Sequence, residues 1–162
     1  LFLHEVAHPK IEFALDAPDP GPTLVCDRRL LGQALTNIVK NGVEAIEQKH
    51  EEGRRKAGKT KDRIMVAIEE EGPRVSIEIS DTGIGLPAER ARMTEPYMTT
   101  RAKGTGLGLA IVKKIVEEHF GSIEFEDLAG GGTMVRLVFD AEILGRLGEG
   151  SVIQSQDSVV NG

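Results

Sequence analysis

Tryptophan is absent, aromatic residues make up only 4 % of the 162-residue chain, and there is one cysteine. Scarce aromatics leave Ile, Val and Leu to build the core, and a chain of this length can bury one as a single domain. The lone Cys26 has no partner for an internal disulfide and suits a reducing compartment. Positive charge is also short. A formal charge of −6 lacks the basic footprint of a general nucleic-acid binder. No apolar run approaches the ~18 residues of a membrane-spanning helix, and the start has no signal-peptide pattern. These absences predict a cytoplasmic domain that neither binds nucleic acid nor inserts into a membrane itself. The chain starts at Leu1 rather than a methionine, so it reads as a piece of a longer parent, whose own membrane anchorage stays open. Finally, glycine is plentiful, with 19 residues, but the glycines of Asp81 to Gly85 and of Gly104 to Gly108 do not lead into the lysine-serine/threonine ending of a Walker phosphate loop.

What is present falls into an ordered pattern. Residues Ile11 to Leu15 alternate weakly and stop at the turn APDPGP, which predicts a short first strand. From Arg28 to about Lys49, Leu31, Leu35, Ile38, Gly42, Ala45 and Ile46 recur at helical spacing, with Asp27 placed to cap the start. The charged stretch from Glu51 to Asp62 reads as a solvated loop. Ile64-Val66-Ile68 and Val75-Ile77-Ile79 alternate around Gly72-Pro73, the pattern of a hairpin with one buried face. Leu86 to Gly104 has little apolar periodicity and reads as a mobile loop. A second helix is predicted from near Gly106 to His119, with Gly121 as its stop. Ser122 to Glu126 and Thr133 to Phe139 flank the turn LAGGG as a final hairpin. Two helices against four or five strands predict a two-layer α/β sandwich over residues 1–147, followed by a frayed tail over 148–162.

Three clusters carry chemistry. Asn37, Asn41 and Glu44 share one stripe of the first helix, bordering its apolar face. An asparagine carbonyl is a neutral hard ligand suited to Mg²⁺, and Lys40 beside it offers an ammonium to a phosphate. Alone, the two asparagines fit the surface of an ordinary amphipathic helix better than a metal site. In Asp81-Thr82-Gly83-Ile84-Gly85 the aspartate ends a strand and the glycines let backbone pack against a flat ligand. A buried carboxylate there accepts from the exocyclic amine of adenine and meets a repelling carbonyl in guanine. Alone, it is also a common tight turn. Gly104-Thr105-Gly106-Leu107-Gly108 opens the second helix, where inward-facing amides form an anion site. The order of the three, each on a fitting element, points to a nucleotide.

At these residues the chain resembles the catalytic and ATP-binding domain of a bacterial sensor histidine kinase, of the Bergerat or GHKL superfamily. The resemblance runs from about Ile11 to Phe139. LTNIVKNGVEAIE resembles the asparagine box, DTGIGLP the first glycine box, and TEPYMTTRAKGTGLGLAIVKKIVEEHFG the lid with the second glycine box. The wording around Glu95-Pro96-Tyr97 is most similar to nitrogen-regulation kinases of the NtrY type. The resemblance implies a mixed, mostly antiparallel sheet with helices on one face and a mobile ATP lid over about 86–105. It further implies ATP and Mg²⁺ as cofactors, with Asn41 on the metal and Glu44 on the nucleotide side. Asp81 would read adenine with Gly83 and Gly85 bordering the base, and Thr133 would lie at the adenine end. Gly104, Thr105, Gly106, Leu107 and Gly108 would shape the lid and phosphate site, with Lys40, Thr100 and Arg101 on the phosphates.

Relatives that hydrolyse ATP with water carry a glutamate base one turn before the metal asparagine. That position is Asn37 here, which cannot act as a carboxylate base and favours phosphoryl transfer to a side chain. Gly42 departs from the usual alanine and should cost the helix just under ~1 kcal/mol. The resemblance implies two partners in a two-component signalling system, a dimerisation domain bearing the acceptor histidine and a response regulator. His4-Glu5-Val6-Ala7-His8-Pro9 superficially resembles an acceptor box, but only a strand and a turn fit between it and the first helix. His50 and His119 fall at helix ends, where a surface or dipole role is expected. An ATP-driven clamp or ATPase, or a regulatory nucleotide-binding module without catalysis, is the alternative.

Overall fold

The computed structural model describes residues 10–53, 61–86 and 108–148. In chain order these form β1 (Ile11–Asp16), α1 (Arg28–Glu51), β2 (Asp62–Glu71), β3 (Arg74–Asp81), α2 (Gly108–Glu118), β4 (Ser122–Asp127) and β5 (Thr133–Asp140). A last short helix, α3, covers 141–148. The lid expected over about 86–105 lies almost wholly outside the described residues, as does the tail from 149 onward.

The first helix starts where its capping residue predicts. Asp27 is extended, with φ −74° and ψ 102°, and its carboxylate accepts the Leu30 amide at 3.0 Å. Its last turn carries the basic residues Lys49 and His50, and the Lys49 ammonium suits the negative end of the helix dipole. The apolar stripe buries Ala34, Ile38, Val39, Ala45 and Ile46. In α2 the corresponding residues are Val112, Ile115 and Val116.

The strands form one sheet in the order β1-β2-β3-β5-β4. β1 runs parallel to β2, and the other three pairings are antiparallel. Parallel neighbours cannot be joined by a tight turn, so α1 serves as their crossover. Period-two alternation sends Ile64, Val66, Ile77, Ile79, Val135, Leu137 and Phe139 to one face, where they form a single core with the helix stripes. The helices therefore cover one face, and the other keeps Glu78, Arg136 and Glu124 in water. This is the α+β sandwich expected.

Two local outcomes differ from expectation. Gly121 was predicted to supply the left-handed stop of α2, but Phe120 takes that conformation, with φ 56°. The amides of Phe120 and Gly121 close the helix on the Glu117 and Val116 carbonyls at 3.0 and 2.9 Å. Gly121 is needed for space instead, since a Cβ there would sit 2.7 Å from the Val138 carbonyl oxygen. The second difference is α3, which the sequence did not announce. Asp140 caps it through the Glu142 and Ile143 amides, both at 3.0 Å, and it buries Leu144.

Candidate functional site

The end of β3 meets the middle of α1 with almost no space between them. Asp81 is 9 % exposed, and its Oδ1 accepts the Gly83 amide at 2.8 Å. A Cβ at Gly42 would stand 3.2 Å from the Asp81 Cβ and 3.3 Å from Ile64 Cδ1. Gly42 is thus the floor under the aspartate, and its cost in helix propensity is offset by this close packing. Gly83 is tighter still, because a Cβ there would lie 2.5 Å from the Ala45 Cβ. The next residue is pinned as well, the Ile84 amide donating to the Ala45 carbonyl at 3.2 Å.

β5 closes the other side. Gly132 has φ 100°, and a Cβ on it would fall 1.9 Å from the Asp81 carbonyl oxygen, so only glycine fits. Thr133 follows it directly and is buried, at 8 % exposure. Gly85, with φ 89°, faces Gly132 and Asp127 across the rim. On the α1 side, the Asn41 amide looks toward the start of α2. A Cβ at Gly108 would stand 3.9 Å from Asn41 Oδ1, filling the gap between them.

The structure thus brings Asn41, Asp81, Gly83, Gly85, Gly108 and Thr133 around one end of the helix layer. Asn37 and Glu44 lie half-buried on the same helix, and Lys40 is exposed. Thr100, Arg101, Gly104, Thr105, Gly106 and Leu107 lie outside the described residues.

Sequence reasoning missed Gly132, Ala45 and a polar cluster behind the aspartate loop. Asp62, 5 % exposed, receives the Lys49 ammonium at 2.5 Å, the His50 Nε2 at 2.5 Å and the Thr82 hydroxyl at 2.9 Å. Lys49 also donates to the Thr82 carbonyl at 2.6 Å. Burial alone would push the Asp62 carboxyl up; the bonds from Lys49, His50 and Thr82 together outweigh it and hold the group below its ordinary value. His50 is therefore a partner of this carboxylate rather than a surface residue. His119 is not at the surface either. It is buried, with Nδ1 on the Ile115 carbonyl at 2.8 Å and Nε2 accepting the Asp27 amide at 3.0 Å, which ties the end of α2 to the start of α1. Cys26 is half-buried; burial and then the Asp27 charge push its thiol up, away from the thiolate form a nucleophile needs.

The sequence profile of the family described as histidine kinase-, DNA gyrase B- and HSP90-like ATPases matches residues 26–143. The chain belongs to this family. Its relatives include sensor histidine kinases. It is 49 % identical over 144 residues to the nitrogen regulation protein NtrY of Azorhizobium caulinodans, covering 88 % of this chain and 18 % of that protein. A putative NtrY-like sensor histidine kinase of Rickettsia conorii is 36 % identical over 121 residues, 74 % of this chain and 18 % of the relative. The chain thus spans under a fifth of the length of these relatives. Among solved structures, the mycobacterial sensor histidine kinase MprB superposes with a TM-score of 0.70 at 26 % identity, covering 86 % of this chain and 89 % of that one. The chain is therefore a sensor-histidine-kinase catalytic domain with the ATP-binding fold of this ATPase family.

The residues present suit that nucleotide. Glycines stand wherever a side chain would collide with the aspartate loop or fill the gap before Asn41. Asn41 offers the neutral oxygen a hard cation takes, and α2 begins at the far side of that gap. Among the described residues, no helix is long and apolar enough to cross a membrane.

Proposed function

We propose that this domain binds MgATP against Asp81 and Asn41. The γ-phosphoryl group then goes to a histidine on a separate dimerisation domain of the parent kinase. A response-regulator aspartate is the final recipient, and nitrogen-linked signalling is the proposed setting, by similarity to NtrY. The observation that carries this reading is the Asp81 carboxylate, buried on the Gly42 floor and fixed by the Gly83 amide. A carboxylate so held is an oriented acceptor for an exocyclic amine and a poor neighbour for a carbonyl.

The chain's own residues divide the work. Asp81 reads the base while Gly83, Gly85 and Thr133 border it. Asn41 would hold Mg²⁺, whose charge neutralises phosphate oxygens during transfer. Asn37, on the same side of α1, has no basic carboxylate with which to activate water, so transfer to an imidazole is favoured over hydrolysis. Lys40, Thr100 and Arg101 are assigned to the phosphates, Glu44 to the nucleotide side. The backbone from Gly104 to Gly108, through Thr105, Gly106 and Leu107, is assigned to the lid and phosphate end.

Calorimetric titration with a non-hydrolysable ATP analogue, with and without Mg²⁺ and against the GTP analogue, tests this. Magnesium-assisted binding of the adenine form alone is expected, with little phosphohistidine formed on this chain by itself. No binding at millimolar nucleotide would overturn the catalytic reading, and steady multiple-turnover hydrolysis would favour the ATPase alternative.

A further inference from the structure

The cluster behind the aspartate loop is more elaborate than holding a sheet corner requires. Thr82 is gripped at two points. Its carbonyl accepts from Lys49 at 2.6 Å, and its hydroxyl donates to Asp62 at 2.9 Å while accepting the Arg63 amide at 3.1 Å. The carbonyl bond holds the peptide plane that follows Thr82, and the hydroxyl bonds hold its side chain. That plane carries the Gly83 amide, which donates to Asp81 Oδ1 at 2.8 Å. Gly83 itself passes close to Ala45, where an added Cβ would lie 2.5 Å from the Ala45 Cβ. Asp62 is thus one residue removed, through Thr82, from the group assigned to read the base.

We propose that Asp62, Lys49 and Thr82 form a positioning unit that sets the affinity and base selectivity of Asp81, with His50 as a second donor to the Asp62 carboxylate. The inference rests on the assignment of Asp81 to the adenine amine. A charge-assisted anchor of this kind holds the Thr82–Gly83 peptide in one orientation, so the acceptor is preorganised and does not have to be ordered by the incoming nucleotide. Without it the peptide can rotate, the Gly83 amide leaves Oδ1, and the carboxylate loses its direction. Affinity then falls, and the discrimination against a guanine carbonyl falls with it.

The test compares the dissociation constants of the ATP and GTP analogues for the 162-residue chain and its variants. Asp62→Asn should weaken the ATP analogue about tenfold and lower the GTP-to-ATP ratio. Thr82→Val, which keeps the branched shape and loses the hydroxyl, should act in the same direction by about threefold, and Thr82→Ser should restore the parent values. Arg136→Met, on the opposite face of the sheet, should change neither number. If Asp62→Asn does not fold, the Thr82→Val and Thr82→Ser pair decides alone. Parent affinity and parent selectivity in the folded Asp62 and Thr82→Val variants, while Asp81→Asn loses binding, would sink the positioning unit and spare the base assignment. Unchanged binding in Asp81→Asn would overturn both.

Discussion

Opposite charges meet on both sides of this sheet, in two different settings. On the open side Arg136 reaches Glu78 at 2.8 Å, Glu124 at 3.1 Å and Glu126 at 3.8 Å, with the last two carboxylates 58 % and 60 % exposed. Its guanidinium is held above its ordinary value by the Glu78 and Glu124 hydrogen bonds. On the covered side Asp62 has only 5 % exposure, and its partners arrive from α1 and from the loop after β3. Water reaches every group in the first cluster, whereas in the second the shared carboxylate of Asp62 is withdrawn from it while Lys49 and His50 stay half-buried. Surface networks of that kind contribute little to stability, whereas removing one partner of a buried pair is costly. The covered side therefore leaves little latitude, and the difference can be measured.

Steric contrast should be the largest. Gly83→Ala must push apart β3 and α1 and should destabilise the domain by about 3 kcal/mol in thermal denaturation. Gly130→Ala, at a turn glycine with nothing within 4 Å of the added carbon, should be nearly silent. Equal effects would erase the contrast in packing. Next, Asp62→Asn should cost about 2 kcal/mol, less than a fully buried pair because Lys49, at 19 % exposure, can still turn toward water.

The same carboxylate gives a pH signature. Its folded value is lowered, so its contribution is complete above the ordinary value of 3.8 and is lost as pH falls through the lower folded value. The stability gap between parent and Asp62→Asn should therefore stay constant from pH 7 to about 5 and close only below that, in denaturant titrations. A gap that closed near neutrality would overturn the assignment of this dependence to Asp62. Smallest of all, Arg136→Met should cost under about 1 kcal/mol, and less in high salt.

The split between legible and illegible features follows sequence separation. The helix from Arg28, the hairpin at Gly72-Pro73 and the order of Asn41, Asp81 and the glycines could be read because each is set by local spacing. Gly42 was misjudged as a small defect because its partner, Asp81, comes from another element. Gly132 was missed for a similar reason, since beyond its φ of 100° the crowding by the Asp81 carbonyl arises only when β5 lies against the end of β3. Asp62 meets Lys49, Thr82 and His50 across separations of 13, 20 and 12 residues, and no motif spacing links them. The helix over 141–148 was hidden because it is barely two turns long, contains two glycines and depends on Asp140 as its cap. The two histidines at helix ends show the limit of position alone: both were correctly placed, and both turned inward to partners that only the tertiary structure supplies.

The parallel pairing of β1 with β2 has a consequence for how the molecule is made. Ile11 lies beside Asp62, with the whole of α1 between them in the chain, whereas Glu71 and Arg74 pair across a two-residue turn. Chain entropy thus favours the β2–β3 hairpin early and the docking of the N-terminal edge strand late. The crossing helix brings Asn41 and the Gly42 floor with it, so a half-folded domain holds Asp81 on its strand with nothing beneath it. Competence to hold nucleotide should then arrive in one step with the closing of the crossover. In a refolding experiment, pulse-labelled β2–β3 amides would become protected before ATP-analogue binding appears, and β1 amides together with it.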